Sequence, residues 1–432
     1  MPNVPPLVNQ LRPLRALCAV AATGSTVAAA SALHLSQSSV VRAIQALEAD
    51  VGGALFERSG RGMVPTPLGQ ALAVRAARGL AQLAQADAPV RRGHTPDTLG
   101  WTGSRLAGGV GARHMAVLLS LAQTSTETAS ARALGISQPA VHQTLAQLEH
   151  MAGAPLFVRA RKGLRLTEAG EATLQAFKLA RAELQQAGDE LAARRGVVQG
   201  RLVIGTLPFS TGHLLSLAVD RVLQTHPGVA ITIVDGTYDA LLHQLRQADI
   251  DLIVGALRPA LPGADLQQET LFLDRLAVVA RAAHPLAQRP RLGWKDLRDA
   301  AWIMPMPNTP AQVAFEQALR VAGIPIPADA LRVNSALMMQ ALLARSDRLA
   351  LYLQDEWAID KSWSLHAGAR WEGIRTLGDA ADGDAAGPPA SRISTMMPLM
   401  RMTVVSSRKS RACFWPRANT RACVAGVGAT NA

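Results

Sequence analysis

The chain contains the same sequence module twice. The segment SQSSVVRAIQALE at residues 36–48 returns as SQPAVHQTLAQLE at residues 137–149, a shift of 101 residues. The same shift maps residues 55–69 onto residues 156–170, and 19 of the 53 positions from 17 to 69 are identical without a gap. Self-similarity at one fixed shift is typical of a duplicated structural unit. The first half of the chain is therefore predicted to fold as two copies of one module.

Each copy is predicted to form a helix-turn-helix followed by a third helix and a short wing. In the first copy, residues 17–23 form one helix, and Ser25 begins a second helix whose small alanines allow close helix packing. Ser36 offers a side-chain oxygen that can cap the third helix. The apolar positions of that helix recur at helical spacing and should face inward; they are Val40, Ile44 and Leu47.

The start of the third helix and the wing hold the candidate DNA contacts, since recognition helices meet base edges and basic wings meet phosphates. The candidates in the first copy are Ser36, Gln37, Ser38, Ser39, Arg42, Arg58 and Arg61. Those in the second copy are Ser137, Gln138, Pro139, His142, Gln143, Arg159, Arg161 and Lys162. The second copy has no arginine matching Arg42 but has a more basic wing, so the sequence leaves open which copy reads DNA. Packing alone is the alternative role for either copy.

The distribution of charge favours a polyanionic partner for the duplicated modules. The formal net charge is +12, of which residues 1–200 hold +8 and residues 201–384 hold −3. Residues 385–432 hold +7 and contain no acidic residue. A basic excess located on candidate DNA-contacting modules fits double-stranded DNA as the partner.

Both copies resemble the winged helix-turn-helix of LysR-type transcriptional regulators. The shared pattern is Ala-Ala…Leu-x-Leu/Ile-Ser-Gln-x-x-Val…Leu-Glu…Gly-x-x-Leu-Phe-x-Arg…Thr-x-x-Gly, at residues 29–69 and 130–170. The resemblance implies a cytoplasmic regulator without enzyme activity that binds operator DNA as a homodimer or homotetramer. It also implies a long linker helix that pairs protomers, at residues 171–195. Family members usually have one module, and the doubled module with GTLPFS and DGTYDALLHQLRQADIDLIVGALRP is most similar to regulators of galactose-binding-protein genes.

The second half alternates strands and helices. Strands are predicted at residues 202–204, 229–234 and 252–254, and helices at residues 211–225 and 238–247, which favours a parallel sheet. Open sheets of this kind bind ligands beyond the carboxyl ends of their strands. The candidate effector-binding residues there are Thr206, Phe209, Ser210, Thr211, Tyr238, Leu257, Asn308 and Thr309. Helix capping is the alternative role for Ser210 and Thr309.

By resemblance, this is a periplasmic-binding-protein-like domain of two lobes with a small-molecule effector, a sugar or an organic acid, in the cleft. No cofactor or metal is expected, because the chain has no phosphate loop, no nucleophile elbow and no His-Glu-x-x-His, and only three cysteines. A signal peptide is a weaker interpretation of the Ala-rich residues 16–32, because residues 23–26 interrupt the apolar run.

The regulator pattern stops near residue 350. Residues 349–376 alternate apolar and polar side chains across a turn at Asp360-Lys361, which predicts a β-hairpin. This segment resembles a strand pair of a TonB-dependent outer-membrane receptor, with an unusual regulator strand as the alternative. Residues 385–432 show no helix or strand period and are predicted to be disordered or out of frame. We therefore expect residues beyond about 350 to come from a fusion or a frameshift.

The predicted fold is a multidomain α/β chain with two winged helix-turn-helix modules, a linker helix and an effector domain that is incomplete at its C-terminal end. The expected segments are a first module with its following helix at 12–90, a linker at 91–112, a second module at 113–172, a linker or dimerisation helix at 173–196, an effector domain at 200–350, a foreign hairpin at 351–384 and a tail at 385–432. The rival functions are a small-molecule binding protein without DNA function and a defective fusion polypeptide.

Overall fold

The structure is a computed structural model of the whole chain, and it divides into two compact units, Met1–Gly200 and Arg201–Ala432. The described residues are 7–60, 62–87, 100–207, 212–281, 283–289, 292–328, 331–358, 364–367, 374–376 and 399–407. The duplicated modules form the first unit, and the predicted effector domain forms the second.

The first module has the predicted helix-turn-helix and wing. After a short 3-10 helix, its elements are α1 (Leu11–Thr23), α2 (Thr26–Ala32), α3 (Gln37–Val51), β1 (Phe56–Ser59), β2 (Gly62–Pro65) and α4 (Pro67–Ala86). Ser25 and Ser36 cap α2 and α3 with their side-chain oxygens, as predicted for Ser36. Val40, Ile44 and Leu47 are all buried, which confirms the inward face of α3.

The second module repeats this order of elements. Its elements are α5 (Arg105–Gly109), α6 (Ala112–Thr124), α7 (Glu127–Leu134), α8 (Gln138–Ala152), β3 (Phe157–Ala160), β4 (Gly163–Leu166) and α9 (Glu168–Arg194). Helix α5 lies inside the stretch that the sequence predicts as a linker. Helix α9 begins three residues before the expected start of the linker helix at 171 and ends one residue before its expected end at 195.

Two of the residues that both copies share, a glutamate and a threonine, form hydrogen bonds to the backbone between the third helix and the wing. In the first copy, the Glu48 carboxylate accepts a hydrogen bond from the Leu55 N–H at 2.8 Å. The Thr66 hydroxyl donates to the Ala54 carbonyl at 2.8 Å and accepts from the Gly69 N–H at 3.0 Å. These side chains satisfy backbone groups that no helix or strand partner reaches.

The second copy builds the same turn with the equivalent residues. The Glu149 carboxylate accepts from the Leu156 N–H at 2.9 Å, and Thr167 caps α9 through the Gly170 N–H at 3.0 Å. Gly170 is required because a Cβ there would lie 2.1 Å from the Leu156 carbonyl oxygen, and the same contact at Gly69 measures 2.0 Å. The motif Thr-x-x-Gly is therefore a packing requirement, which explains why both copies keep it.

A single hydrophobic core runs through the first unit. Buried side chains from both copies belong to one contiguous cluster, in which Leu17 and Leu118 occupy equivalent positions. Phe177 on α9 and Leu80 on α4 are also part of it. Because neither copy has a separate cluster among the described residues, we expect the two copies to stabilise each other.

The second unit is built on one long mixed sheet. Its first strands and helices are β5 (Gln199–Thr206), α10 (Gly212–Thr225), β6 (Gly228–Asp235), α11 (Tyr238–Arg246), β7 (Leu252–Ala256) and β8 (Leu266–Arg281). Its later elements are β9 (Ala301–Met304), α12 (Pro310–Val321), β10 (Leu331–Arg332), α13 (Ala336–Arg345), β11 (Arg348–Ala358), β12 (Ser364–Ala367), β13 (Ile374–Thr376) and β14 (Leu399–Ser407). Strand β5 pairs with β7 in parallel, as the alternation of strands and helices predicts.

Strand β8 links two lobes, because its 16 residues extend through both of them. The strand order is β10-β9-β11-β8-β14-β7-β5-β6. On the β7 side, Val203, Leu241 and Ile253 belong to one core cluster, and on the β9 side Trp302 and Phe315 belong to another. The two-lobed effector domain that the sequence predicts is therefore present.

The strands near the C-terminus bear on two expectations and correct one of them. The expected boundary at 350 falls inside β11, whose residues from Ala350 to Gln354 pair with β8. The expectation that the tail lacks regular structure is wrong for β14, which pairs with both β7 and β8. A strand between two others needs no alternation of apolar and polar residues, so the missing period in this segment did not exclude a strand.

The predicted hairpin is present over a shorter range. Residues 355–358 of β11 pair antiparallel with β12, and the predicted turn at Asp360-Lys361 lies outside the described residues. The remaining residues beyond 358 are described only in β12, β13 and β14.

No single helix in the described residues is both long and apolar enough to span a membrane. The segments Leu7–Thr23 and Thr26–Ala32 are together long and apolar enough, but they are bent by 119° relative to each other. Leu14 and Leu17 of this pair are fully buried in the core of the first unit, so core packing accounts for their apolar character.

Candidate DNA-binding surface and effector cleft

In the first copy, the start of the recognition helix α3 is exposed. Gln37, Ser38 and Arg42 are exposed and Ser39 is half-buried, while the opposite face of α3 enters the core. Two side chains are held in place locally: Gln37 donates to the Thr26 hydroxyl at 3.2 Å, and the Arg42 Nε donates to the Ser38 carbonyl at 3.3 Å. The predicted residues therefore form one hydrophilic surface, with neutral donors and acceptors beside one cation.

The recognition helix α8 of the second copy has a different surface chemistry. Ser137, Gln138, Pro139, His142 and Gln143 are all exposed. The Glu127 carboxylate, at the position equivalent to Thr26, accepts from Gln138 at 3.2 Å and lies 3.1 Å from the His142 Nδ1.

The environment of Glu127 stabilises its negative charge. Burial raises the pKa of Glu127, but hydrogen bonds from His142 and Gln138 and the charges of His142 and Arg159 outweigh it. The pKa of this carboxyl therefore lies below its ordinary value. Glu127 of α7 thus places an anion beside the start of α8, where Thr26 of α2 places a hydroxyl beside the start of α3.

Both wings present basic side chains to solvent. Arg58 on β1 is exposed, and Arg61 lies outside the described residues. In the second copy, Arg159 is exposed on β3, and Arg161 and Lys162 are exposed at the turn between β3 and β4. Neighbouring exposed cations of this kind are suited to phosphate contacts, which carry no sequence information by themselves.

The predicted effector residues that are described lie where the two lobes of the second unit approach each other. Thr206 is buried at the end of β5, and its hydroxyl donates to the Asp235 carboxylate. Tyr238 opens α11, and Asn308 precedes α12 on the other lobe. Leu257 is half-buried just beyond β7.

Arg258 connects the two lobes at this point. Its guanidinium lies over the Tyr238 ring, 4.4 Å from the centroid, and donates to the Asn308 carbonyl at 2.7 Å. Gln268 on β8 in turn donates to the Arg258 carbonyl at 2.9 Å. Burial raises the pKa of the Tyr238 hydroxyl more than the nearby Arg258 and Arg246 lower it, so this phenol stays protonated at neutral pH.

Comparison with known proteins assigns the chain to a family. Residues 11–70 and 112–171 both match the model described as "Bacterial regulatory helix-turn-helix protein, lysR family", and residues 195–353 match the "LysR substrate binding domain". The chain is 34% identical over 340 residues to the HTH-type transcriptional regulator GalR of Pseudomonas putida, covering 79% of this chain and 83% of that protein. The chain belongs to the LysR family of transcriptional regulators.

Other LysR family members show lower similarity. The regulator GbpR of Rhizobium radiobacter is 26% identical over 245 residues, covering 56% of this chain and 81% of GbpR. The solved structure of full-length CbnR complexed with its target DNA aligns with 68% of this chain and 93% of its own, at 20% identity and a TM-score of 0.48. The family models and the matches to GalR and GbpR give no support to the resemblance of residues 349–376 to a TonB-dependent receptor.

Family membership settles the general function that the sequence predicts. The chain is a cytoplasmic DNA-binding transcriptional regulator with an effector-binding domain, not an enzyme. The duplicated helix-turn-helix is confirmed, since the helix-turn-helix family model matches it twice.

Among the remaining predicted effector-binding residues, one has a structural role and three lie outside the described residues. Thr309 caps α12 by accepting from the Gln312 N–H at 3.2 Å, which is the alternative role that the sequence left open. Phe209, Ser210 and Thr211 lie outside the described residues. The sequence places Arg258 at the carboxyl end of a strand, where ligands of such sheets bind, but Arg258 was not among the predicted effector-binding residues.

Proposed function

We propose that both recognition helices of this LysR family regulator contact operator DNA, with the predicted residues of α3 and α8 reading bases and the two wings holding phosphates. The observation that carries the proposal is the equivalent exposure of the two helix starts. Gln37 and Gln138 occupy equivalent positions and are both exposed, while the inner faces of both helices are buried. A copy that served only for packing would not need an exposed, polar start to its recognition helix.

Alanine variants of the wing test the phosphate contacts. R159A/K162A should weaken binding about uniformly across DNA sequences and reduce the salt slope by about 2, since each lost phosphate contact changes it by about 1. R42A tests the first copy in the same way. Arg78 is an exposed arginine on α4, so R78A is the matched control, and it should leave the slope unchanged. An unchanged slope for R159A/K162A would remove the second wing from the interface.

We propose further that the effector, a sugar or an organic acid, binds beside Tyr238 and Arg258. The hydroxyl of Tyr238, the Nε of Arg258 and the side-chain oxygen of Gln268, whose amide nitrogen donates to the Arg258 carbonyl, are buried without a hydrogen-bond partner among the described residues. Buried polar groups of this kind are normally satisfied. A ligand with acidic and hydroxyl groups would supply acceptors and donors to them, and Thr206 and Asn308 border the same cleft.

Thermal shift of the whole chain against a panel of sugars and organic acids tests this assignment. A ligand at 100 times its Kd stabilises the native state by about 2.7 kcal/mol. R258M should abolish the shift of the best acid, because it removes the cation and keeps the bulk. The matched control R289M removes an exposed arginine that pairs with Asp296, and it should keep most of the shift.

Ligand closure of the two lobes would couple binding to regulation through a population shift.

We propose that chains associate through α10 and β6 into homodimers or homotetramers. None of the described side chains on either element is buried, and several large apolar ones are strongly exposed: Leu217, Val222, Leu223 and Ile233. Exposed apolar patches of this kind mark protein contacts. A monomeric wild-type chain by sedimentation at micromolar concentration would refute this assembly.

Two finer interpretations stay proposals. One is the closer likeness to regulators of galactose-binding-protein genes, which rests on the doubled module and the sequence segments GTLPFS and DGTYDALLHQLRQADIDLIVGALRP. The other is that residues beyond about 350 come from a fusion or frameshift, which would make the polypeptide defective. Resequencing the locus tests this origin, since one uninterrupted reading frame with a transcript spanning residues 340–400 would contradict it.

A further inference from the structure

The long helices that follow the two copies pack against each other within the chain. Helices α4 and α9 are equivalent under the 101-residue shift, and Thr66 and Thr167 cap them in the same way. A Cβ added to Gly79 on α4 would lie 3.4 Å from the carbonyl oxygen of Ala180 on α9. Residue 180 is the position equivalent to residue 79. The helices therefore cross at their equivalent points, as they would about an approximate two-fold axis.

A buried ion pair lies beside this crossing. The Arg75 guanidinium donates to the Glu183 carboxylate at 2.9 Å, to Gln186 at 3.2 Å and to Glu190 at 2.9 Å. Arg75 precedes the crossing on α4, and Glu183 follows it on α9, so the two helices run in opposite directions. Side-chain exposure is 3% for Arg75 and 6% for Glu183, so the pair is shielded from water.

The approximate symmetry would allow this ion pair twice, but the sequence provides it once. The residue equivalent to Arg75 in the second copy is Ala176, and the residue equivalent to Glu183 in the first copy is Gln82. Both of these side chains are also buried. The ion pair can therefore form between a first and a second copy, and not between two identical copies.

Pairing of identical copies would bury charges without their counterions. Two second copies would place Glu183 against Ala176, and two first copies would place Arg75 against Gln82. Removing the partner of a buried charge is strongly unfavourable, because the charge remains desolvated. The sequence thus favours association of unlike copies, and each chain supplies one of each.

Contacts away from the crossing also connect the copies. The Arg15 guanidinium of α1 donates to the carbonyls of Ala107 and Val110 at the end of α5, each at 2.5 Å. The Arg195 guanidinium, just beyond α9, donates to the Val51 carbonyl at the end of α3. With the common hydrophobic core, these contacts complete the two-copy unit from one chain.

We infer that one chain carries a complete, two-headed DNA-binding unit that fits an operator with two unlike half-sites. Symmetric dimers match palindromic half-sites because their two heads are identical. Here the heads differ: α3 presents Ser38 and Arg42, whereas α8 presents His142 and Gln143 beside Glu127. This inference rests on the proposal that both copies contact DNA, and two experiments separate the two statements.

The first experiment tests pairing within one chain and needs no DNA. R75E and E183R each place like charges in contact, so hydrogen exchange of α4 and α9 should become at least tenfold faster in each full-length variant. R75E/E183R in one chain restores opposite charges at this pair but leaves Glu190 beside residue 75, so it should recover part of the slow exchange. Co-refolding the R75E chain with the E183R chain should leave exchange fast. Recovery in that mixture would overturn the inference, because the matching charges would then have met between chains.

The second experiment uses exposed residues, so it does not depend on tolerance of the buried substitutions. Base-resolution footprinting of full-length R42A and H142A/Q143A on the operator should show altered contacts in one half-site for the first variant and in the other half-site for the second. Equal changes in both half-sites for either variant would overturn the inference. A wild-type footprint for H142A/Q143A would instead refute the DNA contact of the second copy, and with it the second head, while leaving the pairing result standing.

Discussion

Replacing Arg75 by methionine removes one half of the buried ion pair between α4 and α9. Methionine keeps much of the side-chain volume but leaves Glu183, a residue only 4% exposed, without its main cation. Breaking a buried pair on one side costs about 3–5 kcal/mol. We expect the free energy of unfolding of the first unit to fall by that amount.

Native-state hydrogen exchange of the full-length chain measures this loss where it occurs. Because 1.36 kcal/mol corresponds to a factor of ten, the slowest amides of α4 and α9 should exchange about 150 to 5,000 times faster in R75M. The double variant R75M/E183M removes both charges and should exchange within about tenfold of the wild-type rate, since apolar replacement of a whole buried pair is often neutral.

An exposed ion pair provides the matched control. Arg246 and Asp265 in the second unit are 35% and 47% exposed, so R246M should cost no more than about 1 kcal/mol. The reasoning would be refuted if R75M also cost less than about 1 kcal/mol. It would equally be refuted if R75M/E183M were as unstable as R75M, because the loss would then come from packing and not from an uncompensated carboxylate.

Three further substitutions test other parts of the structure. G170A places a Cβ 2.1 Å from a backbone oxygen and should cost about 1–3 kcal/mol in urea unfolding, whereas G188A, which meets no atom within 4 Å in the same helix, should stabilise by about 0.5–1 kcal/mol. E127T copies Thr26 of the first copy and should raise DNA affinity severalfold in a mobility shift, because an anion leaves the DNA-facing surface; weaker binding would contradict this. Burial holds the pKa of Asp251 above its ordinary value. The unfolding free energy of the wild-type chain should therefore fall as the pH rises from the ordinary pKa of an aspartate to the raised pKa of the folded chain. D251N keeps an acceptor for the Val203 N–H and should remove that pH dependence, and equal pH slopes for both proteins would argue against it.

The sequence predicts the modules well because their signals are local. Ser36 capping α3, the buried Val40 and the exposed Arg42 all follow from spacing within one helix. The position of Gly170 follows from the repeat, although its reason, the approach of the Leu156 carbonyl, is visible only in the structure.

Local sequence signals do not predict contacts between residues that are far apart in the chain. Arg75 and Glu183 are 108 residues apart, and nothing in the periodicity of α4 shows that its partner is α9. The resemblance to the LysR family implies a linker helix that pairs protomers, so it pointed to pairing between chains. Arg258 was missed for a related reason, because its contact to Asn308 on the other lobe depends on the tertiary fold.

Strand β14, in the C-terminal residues whose origin is in question, affects the stability of the sheet. Strand β14 pairs with β7 at Val404 and Val254 and with β8 at Val405 and Gln268, so it lies between these two strands. Deleting residues 399–432 would leave β7 and β8 with unpaired backbone groups facing each other, and unpaired edges favour aggregation.

The two interpretations of the tail therefore predict opposite outcomes for the same deletion. If β14 closes the sheet, the truncated chain should lose most of its soluble yield at equal expression, and hydrogen exchange at residues 252–256 should accelerate in whatever remains soluble. If the tail is foreign sequence, as its composition predicts, the truncated chain should keep its yield and its exchange rates. A deletion of residues 408–432 alone is the control, because it removes most of the tail and keeps β14.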